Sequence, residues 1–210
     1  MVEEQLRGRE IHDSRVLDAM RTIPRHLFVP ADRTSQAYSD QPLSIGEEQT
    51  ISQPYMVAVM SEALELTGGE RVLEVGTGSG YQTAVLARLA REVFSMEMHA
   101  SLAAAAGDLL AQLGFSNVVM VTGDGSEGLA SHAPYDAIVV TAAAPAVPPP
   151  LIEQLAEGGR LVIPIGPVGG SETQELIRVR RLGKRTTQEV LQYCRFVPLV
   201  GRYGWPERHA

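Results

Sequence analysis

The sequence has 210 residues, of which 44% are hydrophobic and 20% are charged, and it carries a formal net charge of −7. This length fits one domain, or one domain with a small appendage, and the apolar share can fill a core. The negative charge disfavours a nucleic-acid partner, because phosphate contacts require a basic surface. No stretch approaches the roughly 20 apolar residues of a transmembrane helix, so we expect no membrane partner.

Cysteine content and the first residues bear on location. Cys194 is the single cysteine, which excludes an intramolecular disulfide and suits a reducing compartment. The N-terminal stretch MVEEQLRGREIHD has no apolar signal core, so we expect a cytoplasmic protein.

We also expect a monomer. Five basic residues between Arg178 and Arg185 are interpreted as a solvated strand edge and turn, which discourages edge-to-edge pairing.

The first 66 residues predict a helical appendage. Residues 3–22 have an amphipathic helical pattern that Pro24 ends, and residues 25–50 read as a long loop. Ser52 is a good N-cap, with Pro54 in the first turn, so a second helix is expected to begin near Ser52.

Residues 67–210 predict a core domain of the α/β class. Short apolar runs alternate with helical stretches, which is typical of a mostly parallel, doubly wound sheet with helices on both faces. The last two runs, 175–182 and 187–196, predict an antiparallel hairpin around Gly183-Lys184. The other predicted strands are 71–75, 92–97, 117–121, 135–140 and 160–165, and the predicted helices are 81–91, 100–113 and 149–155.

The first core strand leads into the segment Glu74-Val75-Gly76-Thr77-Gly78-Ser79-Gly80. Alternate glycines let the backbone turn sharply and approach a ligand closely. Ligands of open parallel sheets bind beyond the carboxyl ends of the strands, so Glu74, Gly76 and Gly78 are candidate cofactor-binding residues. The spacing fits neither the dinucleotide pattern G-x-G-x-x-G/A nor a P-loop, and a turn without a ligand is the alternative interpretation.

Two further acids end the next strands. Glu97 closes the second core strand, where a carboxylate can accept both hydroxyls of a ribose. Asp124 follows the third strand within Gly123-Asp124-Gly125, where a carboxylate can accept from an adenine amino group and Gly125 leaves room for the ring. Each acid alone is more often a solvated strand end, but three acids at successive strand ends indicate a nucleoside-containing cofactor.

These motifs resemble those of class I S-adenosylmethionine methyltransferases, which have a Rossmann-like fold. The glycine segment resembles their motif I, and Tyr135-Asp-Ala-Ile-Val-Val140 and Leu155-Ala-Glu-Gly-Gly-Arg-Leu-Val162 match later motifs in order. The resemblance implies S-adenosyl-L-methionine as cofactor and S-adenosyl-L-homocysteine as product, with no metal. It does not by itself indicate the substrate.

A second resemblance concerns the substrate. The stretch Gln49-Thr-Ile-Ser-Gln-Pro-Tyr55 is similar to a motif of protein-L-isoaspartate O-methyltransferases, as are Gly76–Ala87, Thr141–Pro145 and Arg195–Leu199. It implies methyl transfer to the free carboxylate of L-isoaspartyl and D-aspartyl residues in damaged proteins and peptides. The implied catalytic residue is Ser52, and the implied substrate-binding residues are Thr50, Ile51, Ser52 and Tyr55.

Ser52 has two interpretations when its own chemistry is considered. At the start of a helix, its hydroxyl and the unpaired backbone N–H groups can hold a substrate carboxylate, or the serine can merely cap the helix.

Two other functions of the protein stay open as well. One is a class I methyltransferase acting on a small molecule or RNA, and the other is a non-catalytic binding module on the same fold.

Overall fold

The N-terminal third of the chain folds into short helices and a two-stranded hairpin. The structure, a computed structural model, describes residues 1–169 and 172–207. In chain order this third contains a π-helical turn (Val2–Leu6), 3₁₀ turns (Arg7–Arg9, Arg25–Phe28 and Ala31–Gln36), helix α1 (Ser14–Thr22), strands β1 (Leu43–Gly46) and β2 (Gln49–Ile51), and helix α2 (Pro54–Ala63). The loop predicted over residues 25–50 therefore contains most of an antiparallel hairpin, whose turn residues Glu47 and Glu48 have positive φ.

The prediction of one helix over residues 3–22 is wrong, because the chain turns ahead of α1. Glu10 has a φ of 68°, in the left-handed region that interrupts a helix. Asp13 then begins α1 as its N-cap, accepting hydrogen bonds from the backbone N–H groups of Arg15 (2.8 Å) and Val16 (3.4 Å).

Seven strands form the central sheet, in the order β5-β4-β3-β6-β7-β8-β9. Strands β3 to β7 run parallel, whereas β8 and β9 form an antiparallel hairpin at one edge. This confirms the predicted mostly parallel sheet that ends in a hairpin. The elements are β3 (Arg71–Val75), α3 (Tyr81–Leu89), β4 (Glu92–Glu97), α4 (Ala100–Gln112), β5 (Val118–Thr122), β6 (Tyr135–Val140), α5 (Pro149–Glu153), β7 (Leu155–Ile165), β8 (Gln174–Leu182) and β9 (Arg185–Cys194).

The sheet separates two hydrophobic clusters, because successive strand residues point to opposite faces. Within β3, Val72 belongs to one cluster and Leu73 to the other. The first cluster also contains Leu6 and Met60 from the N-terminal third, packed with residues of the sheet and α3. The two predicted parts, 1–66 and 67–210, thus share a core, and the boundary between them stays a prediction.

Basic side chains of the sheet bind the end of α2. Arg178 Nη1 donates to the carbonyl of Ala63 (3.2 Å) and to the carboxylate of Glu65 (2.6 Å), and Arg160 Nε donates to the carbonyl of Leu64 (2.7 Å). The last carbonyls of a helix have no partner within the helix, so these arginines supply it. The interpretation of the basic cluster as only a solvated edge is therefore wrong for Arg178.

The single cysteine is not suited to nucleophilic chemistry. Cys194 is buried at the end of β9, and burial raises the pKa of its thiol to about 12, so this thiol is a poor nucleophile.

Among the described residues, the helices are too short or too polar to cross a bilayer.

Glu62 joins the start of α1 to α2, because its Oε1 accepts from the backbone N–H groups of His12 (2.7 Å) and Asp13 (2.6 Å). We expect Glu62→Ala to lower the free energy of unfolding by about 1–3 kcal/mol, because both donors lose a charged acceptor. Urea denaturation measures the change, and Glu4→Ala, which removes an exposed carboxylate of the π-helical turn Val2–Leu6, is the control. Equal loss in both variants would contradict this role of Glu62.

Candidate active site

The glycine segment follows β3, which lies between β4 and β6 in the middle of the sheet. Gly76 has a φ of +96°, and a Cβ placed on it would lie 2.3 Å from Thr141 Oγ1. The Thr141 hydroxyl donates to the carbonyl of Gly76 (2.6 Å), so the loop lies directly against the residue that follows β6. A side chain at Gly76 would push the loop away, which explains why this position requires glycine.

Glu97 lies at the end of β4 and faces the same loop. Its Oε2 accepts from the backbone N–H of Gly78 (2.8 Å) and its Oε1 from that of His99 (3.0 Å). The side chain is buried and lines a cavity of about 500 Å³ together with Gly76, Gly78, Gln49 and Ser52. Each carboxylate oxygen retains a second lone pair that can accept from a ligand hydroxyl.

A second cavity, of about 430 Å³, continues past Gly76 toward the carboxyl ends of β4 and β5. Its walls are largely apolar, with Met96, Gly125 and Leu199 among the lining residues. A Cβ on Gly125 would lie 2.3 Å from Val75 Cγ1, so glycine is required here as well. The largely apolar lining of this cavity suits an aromatic ring.

Asp124 contacts the C-terminal segment instead of lining a described cavity. Its Oδ1 accepts from the backbone N–H (2.9 Å) and the hydroxyl (2.7 Å) of Ser126, and its Oδ2 accepts from the backbone N–H of Arg202 (2.7 Å). A Cβ on Gly201 would lie 2.0 Å from Asp124 Oδ1, so the segment passes very close. The predicted contact between Asp124 and adenine stays a prediction.

Glu74 lies beneath the glycine segment and lines none of the described cavities. It is fully buried, and its Oε2 accepts from the hydroxyls of Thr83 and Ser95, each at 2.6 Å. Burial raises the pKa of this carboxyl to about 8, and the charge of nearby Glu97 also raises it. Glu74 therefore links α3 to β4, and Ser95 in turn contacts the hydroxyl of Thr77 in the loop (2.5 Å). This position favours an indirect role over a direct contact with the cofactor.

Ser52 lies in the link between β2 and α2, on a wall shared by two cavities. One side faces the glycine-loop cavity, and the other faces a groove of about 1000 Å³ that opens to solvent. Thr50 and Thr141 also line both spaces, and Ile51 lines the first. Three of the residues expected to bind substrate thus meet beside the glycine segment.

Two expectations about the start of α2 are wrong. The N-cap is Gln53, and its side chain forms no capping hydrogen bond, so Ser52 lies outside the helix. The first free N–H of the helix, at Tyr55, donates to Asp40 Oδ1 (3.0 Å), and this end is not left open for a substrate anion. The Tyr55 ring lies away from Ser52, with the guanidinium of Arg9 3.5 Å from its centroid.

The glycine-loop cavity is also lined by Gln49, Thr141 and Val197, which are not among the site residues predicted from the sequence. Thr141 carried a usable signal, since it directly follows the buried strand β6 and the ends of parallel strands meet at one edge. The other two lie on a hairpin and a C-terminal stretch, whose distance from the loop depends on tertiary packing.

The chemistry of these walls fits S-adenosyl-L-methionine. The buried carboxylate of Glu97 suits the ribose hydroxyls, and Gly76 and Gly78 permit the close approach of the amino-acid chain. The apolar second cavity suits the purine. Among the described residues, no group of three His, Cys, Asp or Glu side chains is placed to hold a metal ion. Fold and site together define a class I S-adenosylmethionine-dependent methyltransferase.

Comparison with known sequences gives the particular family. A family model described as protein-L-isoaspartate(D-aspartate) O-methyltransferase matches residues 1–204. A relative from Syntrophus aciditrophicus, named protein-L-isoaspartate O-methyltransferase, is 55% identical over 98% of this chain and 94% of its own length. A relative of the same name from Methanoculleus marisnigri is 55% identical over 98% of this chain and 92% of its own length. The chain belongs to the protein-L-isoaspartate(D-aspartate) O-methyltransferase family.

Comparison with solved structures is consistent with this family. A protein-L-isoaspartate O-methyltransferase structure is similar with a TM-score of 0.86 and 32% identity, covering 97% of this chain and 67% of that one. A structure from Plasmodium falciparum, solved in complex with S-adenosyl-L-homocysteine, has a TM-score of 0.78 and 25% identity and covers 93% and 95% of the two chains. The protein is therefore an S-adenosylmethionine-dependent enzyme with the predicted fold.

We expect Glu74→Gln to make stability less dependent on pH. Burial raises the pKa of Glu74 from 4.5 to about 8, so in this window the folded protein keeps a proton that the unfolded chain releases. Rising pH then lowers the wild-type free energy of unfolding by up to about 1.4 kcal/mol per pH unit, and glutamine removes this contribution.

Urea denaturation at about pH 5.5 and about pH 7.5 measures the effect, because both values lie inside the window. Glu92→Gln, at the other end of the neighbouring strand, is the matched control. For each variant, the free energy of unfolding at about pH 7.5 is subtracted from that at about pH 5.5. If this difference is the same in Glu74→Gln and Glu92→Gln, Glu74 does not retain its proton.

Proposed function

We propose that this enzyme transfers a methyl group from S-adenosyl-L-methionine to the free carboxylate of L-isoaspartyl and D-aspartyl residues in damaged proteins and peptides. The observation that carries the proposal is the position of Ser52, on the wall between the glycine-loop cavity and the open groove. A residue there can contact a substrate carboxylate beside the methyl donor. The backbone nitrogen of the next residue then displaces methanol from the methyl ester to form a succinimide, which water opens in part to normal aspartate.

The cofactor would be held by Gly76, Gly78 and Glu97, with Gly125 beside the ring. S-adenosyl-L-methionine supplies an electrophilic methyl group on a sulfonium cation. Glu97 would accept from the ribose hydroxyls, and its backbone donors at Gly78 and His99 keep the carboxylate oriented. Thr141 holds the loop from the side, and Glu74 supports it indirectly through Ser95, which contacts Thr77.

The substrate requires orientation more than activation. A carboxylate is already ionised near pH 7, so no general base is needed. The Ser52 hydroxyl would donate a hydrogen bond to it, with Thr50 and Ile51 shaping the passage. Anion and cation become neutral products, so a site that excludes water and aligns the reacting atoms favours the reaction.

The open groove supports a polypeptide substrate over a small molecule. It has a volume of about 1000 Å³ and is lined by Met56 of α2, by Tyr193 near the end of β9 and by Phe196 just beyond that strand. Tyr193 is an exposed aromatic side chain, which a peptide can contact. The net charge of −7 disfavours RNA. A cytoplasmic, monomeric enzyme without nucleic-acid or membrane partners completes the proposal.

The proposed function is tested with paired synthetic peptides that differ only in isoaspartate or aspartate at one position. Methyl transfer to the isoaspartyl peptide alone is expected. Equal transfer to both peptides, or to neither, would contradict the proposed substrate.

We expect Glu97→Gln to weaken S-adenosyl-L-homocysteine binding by about 10- to 100-fold, because a charged acceptor of ribose hydroxyls is lost. Calorimetry measures the affinity. Glu92→Gln, on the same strand but far from the glycine segment, should bind like the wild type. Unchanged affinity in Glu97→Gln would remove Glu97 from the cofactor site.

Ser52→Ala should reduce kcat/KM for the isoaspartyl peptide by about 10- to 100-fold, because one hydrogen bond to a charged group is lost. Cofactor affinity and melting temperature should stay near wild type, since Ser52 does not cap α2. Ser44→Ala, which changes an exposed serine of the β1–β2 hairpin that precedes Ser52, is the control. Full activity in Ser52→Ala would contradict the role, and a methylated Ser52 would overturn direct transfer.

A further inference from the structure

A fully buried arginine lies directly behind Ser52. Arg25 is 0% exposed, and its Nη2 donates to the carbonyl of Ser52 at 2.7 Å. Its Nε donates to the carbonyl of Ala37, also at 2.7 Å. Its guanidinium lies 4.5 Å from the ring centroid of Tyr81, which lines the glycine-loop cavity. One side chain thus contacts three segments that are distant in sequence.

This cation is held without a carboxylate in hydrogen-bond contact among the described residues. Burying an unpaired charge is costly, and burial lowers the pKa of Arg25 accordingly, while Tyr81 opposes that shift. Its Nη1 and the Tyr81 hydroxyl both lack hydrogen-bond partners among the described residues. Among the described residues, the carbonyls of Ala37 and Ser52 are therefore the hydrogen-bond acceptors that hold this cation in place.

The two carbonyls explain what the guanidinium fixes. Ala37 ends the 3₁₀ turn Ala31–Gln36, and Ser52 joins β2 to α2. The Ser52 backbone lies outside both elements, so neither the hairpin nor the helix determines its orientation fully. A planar guanidinium donates along fixed directions, and it therefore holds this carbonyl more rigidly than a flexible ammonium would.

We propose that Arg25 is a positioning residue for methyl transfer, which fixes the Ser52 backbone so that the serine hydroxyl meets the substrate carboxylate. This inference rests on the proposed role of Ser52. Arg25 lines neither the glycine-loop cavity nor the groove, so it acts through Ser52 and does not touch the substrate.

The test uses Arg25→Lys, which keeps the charge but loses the planar fork. Arg15→Lys is the matched control, because Arg15 also donates to two backbone carbonyls, those of Leu66 and Leu89, at a distance from Ser52. Kinetics with the isoaspartyl peptide, calorimetry with S-adenosyl-L-homocysteine and thermal melting are measured for both variants. The same substitutions are then made in a Ser52→Ala background.

Arg25→Lys should lower kcat/KM by about 10-fold or more, with cofactor affinity within about 2-fold of wild type, whereas Arg15→Lys should keep near wild-type activity. In the Ser52→Ala background, the effect of Arg25→Lys should fall below about 3-fold, because the hydroxyl it positions is gone. A structural defect would reduce activity equally in both backgrounds.

Three outcomes would overturn the inference alone, given a wild-type enzyme that methylates the isoaspartyl peptide. They are equal losses in Arg25→Lys and Arg15→Lys, full additivity with Ser52→Ala, and failure of both Arg25→Lys and Arg25→Gln to fold. A wild-type enzyme that does not methylate the isoaspartyl peptide would instead overturn the proposed function, and this inference with it.

Discussion

The close packing of the glycine segment against Thr141 is the constraint on which the site depends. Gly76 leaves no room for a side chain, and the Thr141 hydroxyl bonds its carbonyl, so the ends of β3 and β6 fix the loop between them. The loop in turn holds Glu97 through the N–H of Gly78. The positions of the glycine-loop cavity and of the Glu97 carboxylate thus depend on this one contact.

Two carboxylates near the loop differ in environment, and the difference assigns their roles. Glu74 is fully buried beneath it, bonded to hydroxyls, with a pKa raised to about 8 by burial. Glu97 faces the cavity and accepts from backbone N–H groups, which stabilise a carboxylate. One acid supports the loop, and the other is available to a ligand.

The N-terminal third is part of the active site, although it precedes the cofactor-binding core in sequence. Its hydrophobic side chains share a cluster with the sheet, and its arginines and carboxylates bind α2 and the link before it. This packing brings Ser52 and Thr50 to the glycine segment. The N-terminal third thus supplies part of the wall of the glycine-loop cavity.

The sequence alone determined the parallel sheet and its hairpin, because strand periodicity is local, and the resemblance of its motifs indicated the cofactor class. Of the six residues predicted at the cofactor site, Gly76, Gly78, Glu97 and Gly125 line the two cavities. The sequence could not determine that Glu74 lies beneath the loop, that Asp124 binds the C-terminal segment or that Tyr55 stacks on Arg9. Nor could it distinguish Ser52 from an N-cap, since Gln53 takes that position. Those outcomes depend on contacts between residues far apart in the chain, so only tertiary packing decides which way each side chain points.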